Sequence, residues 1–378
     1  MRKLKLMALA VLMLAGAACR ETDSPVVVPT DYENVSNVRD GGEVAGFYVL
    51  NEGNMGANKA TLDYFDYVQS RYIRNLYPER NPGIVLELGD SGNDIAVYGA
   101  RLYAVINGSN KVEVLDAGTA ISVGHVDVAS PRFLAFDENY CYVSSYVGGE
   151  GDKGSVVRFK RETLEVEGLV SVGLAPEEMV IADGYLYVAN SANFATGEFD
   201  NTISVIRLSD FTVQGSITVD INLHRLRTDA DGNLWVSSRG NYYDVPSNLY
   251  KLERKGVNSY GEPQALDVDC SNFAIYNGKL YYYGVAYDEN WNATNYYGVV
   301  DVATAKVVSD NFITDGTESR IMSPYCIAVQ PSNGDIFITD ARNYVSSGAL
   351  YCYSPEGKLQ WTVTTGDIPG HIAFVKKR

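Results

Sequence analysis

The 378-residue chain predicts an all-β fold, a seven-bladed β-propeller closed by its C-terminal strand, on three observations. A short phrase of apolar residue, aromatic and further strand-former recurs seven times. A second apolar run precedes most copies at near-constant spacing. The last residues repeat the opening of a unit and then stop.

The phrase reads Phe47-Tyr48-Val49, Leu102-Tyr103-Ala104, Cys141-Tyr142-Val143, Leu186-Tyr187-Val188, Leu234-Trp235-Val236, Leu280-Tyr281-Tyr282 and Ile336-Phe337-Ile338. Its central aromatics stand 39 to 56 residues apart, the period of a four-stranded blade. Seven residues before the aromatic, in blades two to six, lie Ala96, Ala135, Val180, Thr228 and Ala274. In blade seven the interval is nine, from Ala328 to Phe337. Between the two runs sit pairs such as Asp183-Gly184, Asp231-Gly232 and Asn277-Gly278, which accept positive φ in tight hairpins. Alternating runs such as Thr202–Ile206 supply a third strand, and Ser216–Val219 a fourth. Blade one has no innermost strand of its own, because Asp40-Gly41-Gly42-Glu43 precedes it. Ile368-Pro369-Gly370-His371-Ile372-Ala373-Phe374-Val375 supplies that strand from the other end, which removes an exposed edge.

The N-terminus sets the expected compartment. A basic Met1–Lys5 and an apolar Leu6–Ala18 read as a secretory signal over residues 1–18. The apolar run falls short of the roughly 20 residues that span a bilayer. Gly16-Ala17-Ala18-Cys19 resembles a bacterial lipobox, with Cys19 the expected lipidation site. Residues 19–45 then form a flexible tether and 46–378 the propeller. Losing Arg2, Lys3 and Lys5 with the signal moves the formal charge from -16 to -19. That excess excludes nucleic acid and anionic headgroups as partners, leaving membrane contact through the lipid alone. Cys141, Cys270, Cys326 and Cys352 are either buried thiols or two disulfides in one of three pairings.

Antiparallel order puts two sets of connections on one face: second strand to third, and outer strand to the next blade. The first set carries Asn51 and Asn54, Tyr146, Asn193 and Phe194. It continues with Arg239, Tyr242 and Tyr243, then Tyr287, Trp291 and Tyr296, then Arg342 and Tyr344. The second set brings Asn93, Arg132, Glu178, His224, Asn272, Tyr325 and His371 to the same mouth. The stretch AYDENWNATNYYG, residues 286–298, is the connection of blade six. Rigid rings interleaved with amides and guanidiniums give contact area at low entropic cost. They suit a bulky, amphipathic ligand.

Little in the chain points to chemistry. His224 and His371 reach the mouth, where two imidazoles serve as bases or metal ligands in other propellers. No carboxylate stands beside them in sequence, and HExxH, P-loop, GxGxxG and CxxC motifs are missing. No catalytic residue, metal or cofactor is expected.

Pro176 to Asn190, ending in Leu-Tyr-Val-Ala-Asn, resembles the YVTN/YncE class of propellers. The lipobox, the tether and Phe47-Tyr48-Val49-Leu50-Asn51-Glu52-Gly53-Asn54 together resemble the BtuG-type surface lipoproteins of Bacteroidetes. That resemblance implies a lipoprotein on the outer membrane, facing the exterior. It implies binding of cobalamin (vitamin B12) or a related corrinoid and delivery to a TonB-dependent outer-membrane transporter of the BtuB type. Two other readings stay open. One is a surface propeller for another nutrient or glycan, with rings stacked on sugar faces. The other is a lactonase or lyase using His224, His371 and Glu178.

Overall fold

A computed structural model describes residues 29–84, 87–193, 195–287 and 293–377, and for Tyr287 the backbone alone. The signal segment, Cys19, Phe194, Trp291 and the Tyr287 side chain lie outside the described residues.

Among the described residues, seven antiparallel sheets of four or five strands follow one another along the chain, with two small two-stranded sheets beside them. In blade one, Pro369–Lys376 is innermost, beside Val44–Asn51, Thr61–Asp66 and Arg71–Arg74. The C-terminal strand therefore closes the ring, pairing Phe374 with Phe47 and Ala373 with Tyr48. Aromatic packing seals the same junction. Phe47 lies 4.8 Å from Phe337 of blade seven, and Phe65 stacks on Trp361 at 4.9 Å.

The register follows the sequence pattern. Ala96 pairs with Tyr103, Ala135 with Tyr142, Val180 with Tyr187, Ala274 with Tyr281 and Ala328 with Phe337. All seven phrase aromatics are buried. Blade five departs by one place: Thr228 pairs with Leu234, and Arg227 faces Trp235. The cause is a longer turn organised by Asp229. Its carboxylate accepts hydrogen bonds from the backbone N–H groups of Asp231 and Asn233 and from the Trp235 indole.

Part of the expected tether is a strand. Asp31–Asn34 adds a fifth, outermost strand to blade one, pairing with Arg71–Arg74. Tyr32 covers the Arg71 guanidinium at 5.3 Å, and Asp31 pairs with Arg74. The four cysteines are buried free thiols, so none of the three pairings forms.

Candidate functional site

A defect repeated around the axis builds the floor of a central funnel. At the mouth end of the innermost ladder, blades one, two, three, five and seven slip register. The slips lie at Gly370, Asn93, Arg132-Phe133, His224-Arg225 and Tyr325-Cys326. An extra residue bends a strand and re-aims its side chains. In three blades a hydroxyl on the second strand secures the slip. Ser144 accepts from the Phe133 N–H at 3.0 Å, Ser237 from Arg225 at 3.1 Å and Thr339 from Cys326 at 2.8 Å. A buried N–H that has left the ladder is thereby satisfied. Blades four and six carry Ala189 and Tyr283 at that place, where the N–H groups of Glu177 and Ser271, each one residue before the regular partner, donate to the Ala189 and Tyr283 carbonyls.

The funnel encloses about 730 Å³. Phe133 stands on its floor, with the His371 and His224 rings edge-on at 5.8 and 6.1 Å. The Arg225 guanidinium lies 5.0 Å from the same ring and that of Arg132 5.8 Å. Behind the wall, fully buried Glu177 accepts from Arg132 Nη2 and Arg239 Nη1, each at 3.1 Å, and from the Tyr146 hydroxyl at 2.6 Å. Burial alone would raise its pKa; Arg132, Arg239 and Tyr146 together hold it below the ordinary carboxylate range.

The imidazoles are neutral at pH 7. Burial first, then Arg239, Arg225 and Arg132, push His224 well below the usual histidine value. Burial also lowers His371, although its Nδ1 lies 3.2 Å from Asp94 Oδ1. Neutral histidines leave the guanidiniums as the cations of the floor. Glu52 completes the wall. Burial pushes it up to about 7, against the Tyr325 hydroxyl that donates to it at 2.9 Å and the fields of Arg132 and Arg225.

The rim has its own device. Asn241 Oδ1 accepts from the backbone N–H groups of Tyr243, Asp244 and Val245, and Asn343 Oδ1 from those of Val345 and Ser346. These turns hold Tyr242 and Tyr344 at φ 62° and Arg342 at φ 49°. The left-handed region costs a residue without special reason to be there about 1–3 kcal/mol and collects at binding sites. Tyr243 is 92% exposed. The Tyr344 ring meets Tyr325 at 5.8 Å, and Asn54 donates to the Tyr344 carbonyl at 2.7 Å, joining the rims of blades one and seven.

Nine residues expected from the sequence line the funnel: Asn93, Arg132, His224, Arg239, Tyr242, Tyr243, Tyr325, Tyr344 and His371. Tyr146 stands behind them on Glu177, its ring 4.6 Å from the Arg132 guanidinium. Asn54, Tyr296 and Arg342 sit on the rim outside the cavity wall. Four others are engaged elsewhere. Asn51 donates to Thr61, and Asn193 caps its own hairpin turn at the Ala195 N–H. Glu178 accepts from the Leu226 N–H and pairs with Arg227, which also donates to Asn272. The acid behind the funnel is thus Glu177, one residue earlier. Glu52, Phe133 and Tyr283 line the cavity without having been expected, and Arg225 joins them from the segment His224-Arg225 that the sequence places at the mouth. The hydroxyl two residues after the phrase aromatic, at Ser144, Ser237 and Thr339, marks the slips that carry Phe133 and Arg225 inward.

Fold and site define a seven-bladed propeller with an open funnel on its loop-rich face. The chain belongs to the family described as a domain of unknown function, DUF5074, whose profile matches residues 45–360. Comparison with curated proteins finds no match. Solved structures share the fold. A quinonprotein alcohol dehydrogenase-like protein from Bacteroides thetaiotaomicron is 15% identical, covering 88% of this chain and 79% of its own at TM-score 0.59. A functionally unknown protein from Desulfotomaculum acetoxidans is 9% identical, covering 88% and 99% at TM-score 0.59. Hydrazine synthase of Kuenenia stuttgartiensis is 18% identical, covering 75% and 89% at TM-score 0.57. At such identities the likeness concerns the fold alone.

Proposed function

We propose that this chain is a ligand-capture lipoprotein of the outer-membrane surface that binds cobalamin or a related corrinoid and passes it to a TonB-dependent transporter of the BtuB type. The observation that carries the reading is the division of the funnel into two zones. Its floor concentrates guanidiniums, neutral imidazoles and the Asn93 amide, while its rim presents tyrosines on constrained backbone. A ligand with an extended apolar face and polar arms engages both zones at once. The choice of a corrinoid rests on the resemblance carried by the lipobox and by Phe47 to Asn54. A lyase or lactonase reading has less support, since Glu178 is occupied by Arg227 and the Leu226 N–H. A glycan would instead stack on the exposed rings and leave the floor charges unused.

The test is direct. Purified protein incubated with cyanocobalamin and passed through a gel-filtration column should elute with the visible corrin spectrum. Colourless protein refutes the corrinoid reading. Replacing Tyr242 and Tyr243 together by Ala should weaken retention at least tenfold, about 1.4 kcal/mol. Unchanged retention in that variant removes the rim from the site.

A further inference from the structure

Among the described residues, Arg225 is the cation of the funnel floor that no carboxylate contacts. Its side chain belongs to a residue only 6% exposed. Among the described residues, Arg132 and Arg239 share Glu177 and Arg227 holds Glu178, whereas Arg225 joins no ion pair and its Nε finds no acceptor. The neighbouring acids are committed elsewhere. Glu52 accepts from Tyr325, Asp94 from the Leu134 N–H with His371 beside it, and Asp269 from the Ser247 hydroxyl. A buried guanidinium without a counter-ion is costly. The fold nevertheless builds it deliberately: the blade-five slip, secured by Ser237, brings Arg225 to the cavity and lays its planar head by Phe133 at 5.0 Å. A head fixed in this way has its donors arranged before any ligand arrives.

We infer that Arg225 is an anion seat, taking a carboxylate or phosphate oxyanion borne by the ligand and holding it on the floor beside Phe133. This rests on reading the funnel as a capture site, but not on the ligand being a corrinoid. In a corrinoid that carries a nucleotide loop, the oxyanion is the phosphodiester. Such a ligand enters with its charged end down and leaves its apolar face to the rim tyrosines. Oriented binding of this kind distinguishes ligands by a group that the rim does not touch.

Two measurements on the full mature chain test the seat. The first is thermal unfolding of wild type and Arg225→Met at constant ionic strength, with chloride exchanged for inorganic phosphate. Without phosphate the Met variant should melt about 2 °C or more above wild type, because an unanswered charge has gone and the stem still covers Phe133. Phosphate should raise the wild-type midpoint and leave the variant unmoved. The second compares cyanocobalamin with cobinamide, which lacks the phosphodiester. Arg225→Met should weaken cyanocobalamin by about 10- to 100-fold and cobinamide by less than twofold.

A phosphate response equal in both proteins overturns the seat. So does a variant that melts lower yet binds cyanocobalamin like wild type, which would make Arg225 a prop for Phe133. Arg225→Lys keeps the charge but not the fork and covers the case in which the Met variant does not fold. Wild-type cyanocobalamin affinity in the Lys variant also overturns the inference. The two readings fail separately. A phosphate response lost with Arg225, in a protein that binds neither corrinoid, upholds the seat and refutes the corrinoid. Both corrinoids bound alike by wild type and Arg225→Met uphold the corrinoid and refute the seat.

Discussion

Replacing Glu52 by Gln should flatten the pH dependence of stability between pH 4.5 and 8. In the folded protein the Glu52 carboxyl is pushed from 4.5 up to about 7, chiefly by burial against Tyr325 and Gly370. A Cβ at Gly370 would lie 2.5 Å from Glu52 Oε1, so glycine there leaves the acid just enough room. Over that interval the native state holds a proton that the unfolded chain has released. Its contribution is therefore fully present below pH 4.5 and lost as pH rises through 7. A shift of this size is worth about 3 kcal/mol, an upper value because the funnel is open to water. Glutamine cannot ionise, so the variant escapes the loss while sharing every other titration with wild type. Urea unfolding at pH 5 and pH 8 measures the two differences. Wild type should lose up to about 3 kcal/mol more than Glu52→Gln on going to pH 8. Parallel pH profiles would refute the claim that Glu52 carries its proton into the neutral range.

The remaining predictions concern the scaffold. Glu177→Gln leaves Arg132 and Arg239 without a counter-ion and should cost about 3 kcal/mol in urea unfolding, whereas a surface Glu→Gln change should cost under 0.5 kcal/mol. Ser237→Ala strands the Arg225 N–H and should cost about 1–3 kcal/mol, with any bound ligand weakened in parallel. The thiols should be inert to Ellman's reagent in the native state and all react once unfolded. Each is buried, and desolvation raises their pKa values, Cys326 to about 11 and Cys141, Cys270 and Cys352 well above the ordinary thiol value.

The scaffold was legible because its signals are local and repeated. A phrase aromatic and the residue seven positions earlier are the two sides of one hairpin, so blade number and most of the register follow from spacing alone. The exception at Thr228 arises where Asp229 gathers four donors and lengthens the turn, a side-chain effect that spacing does not carry. The site was legible in outline only. Placing the connections on one face found Arg132, Arg239, His224 and His371, since that step needs only strand direction. Phe133 reads as an ordinary strand residue until the ladder slips, and Arg225 only as part of a segment that reaches the mouth. Their inward turn depends on Ser144 and Ser237, hydroxyls that look like solvent-facing positions in a strand. Glu177 and Glu178 are adjacent carboxylates, and only the packing of two arginines decides which of them lies behind the funnel wall.

The short strand Asp31–Asn34 has a mechanical consequence. It pairs antiparallel on the outer circumference of blade one, with Asp31 opposite Arg74 and Asn34 opposite Arg71. Tension applied through the residues before it loads these pairs one after another, beginning at Asp31, so they peel rather than shear. The ring-closing strand Pro369–Lys376 lies at the other side of the same sheet and feels no pull until that peeling is complete. A pull from the N-terminal side would thus lengthen the chain by one cheap notch while the ring of blades stays closed.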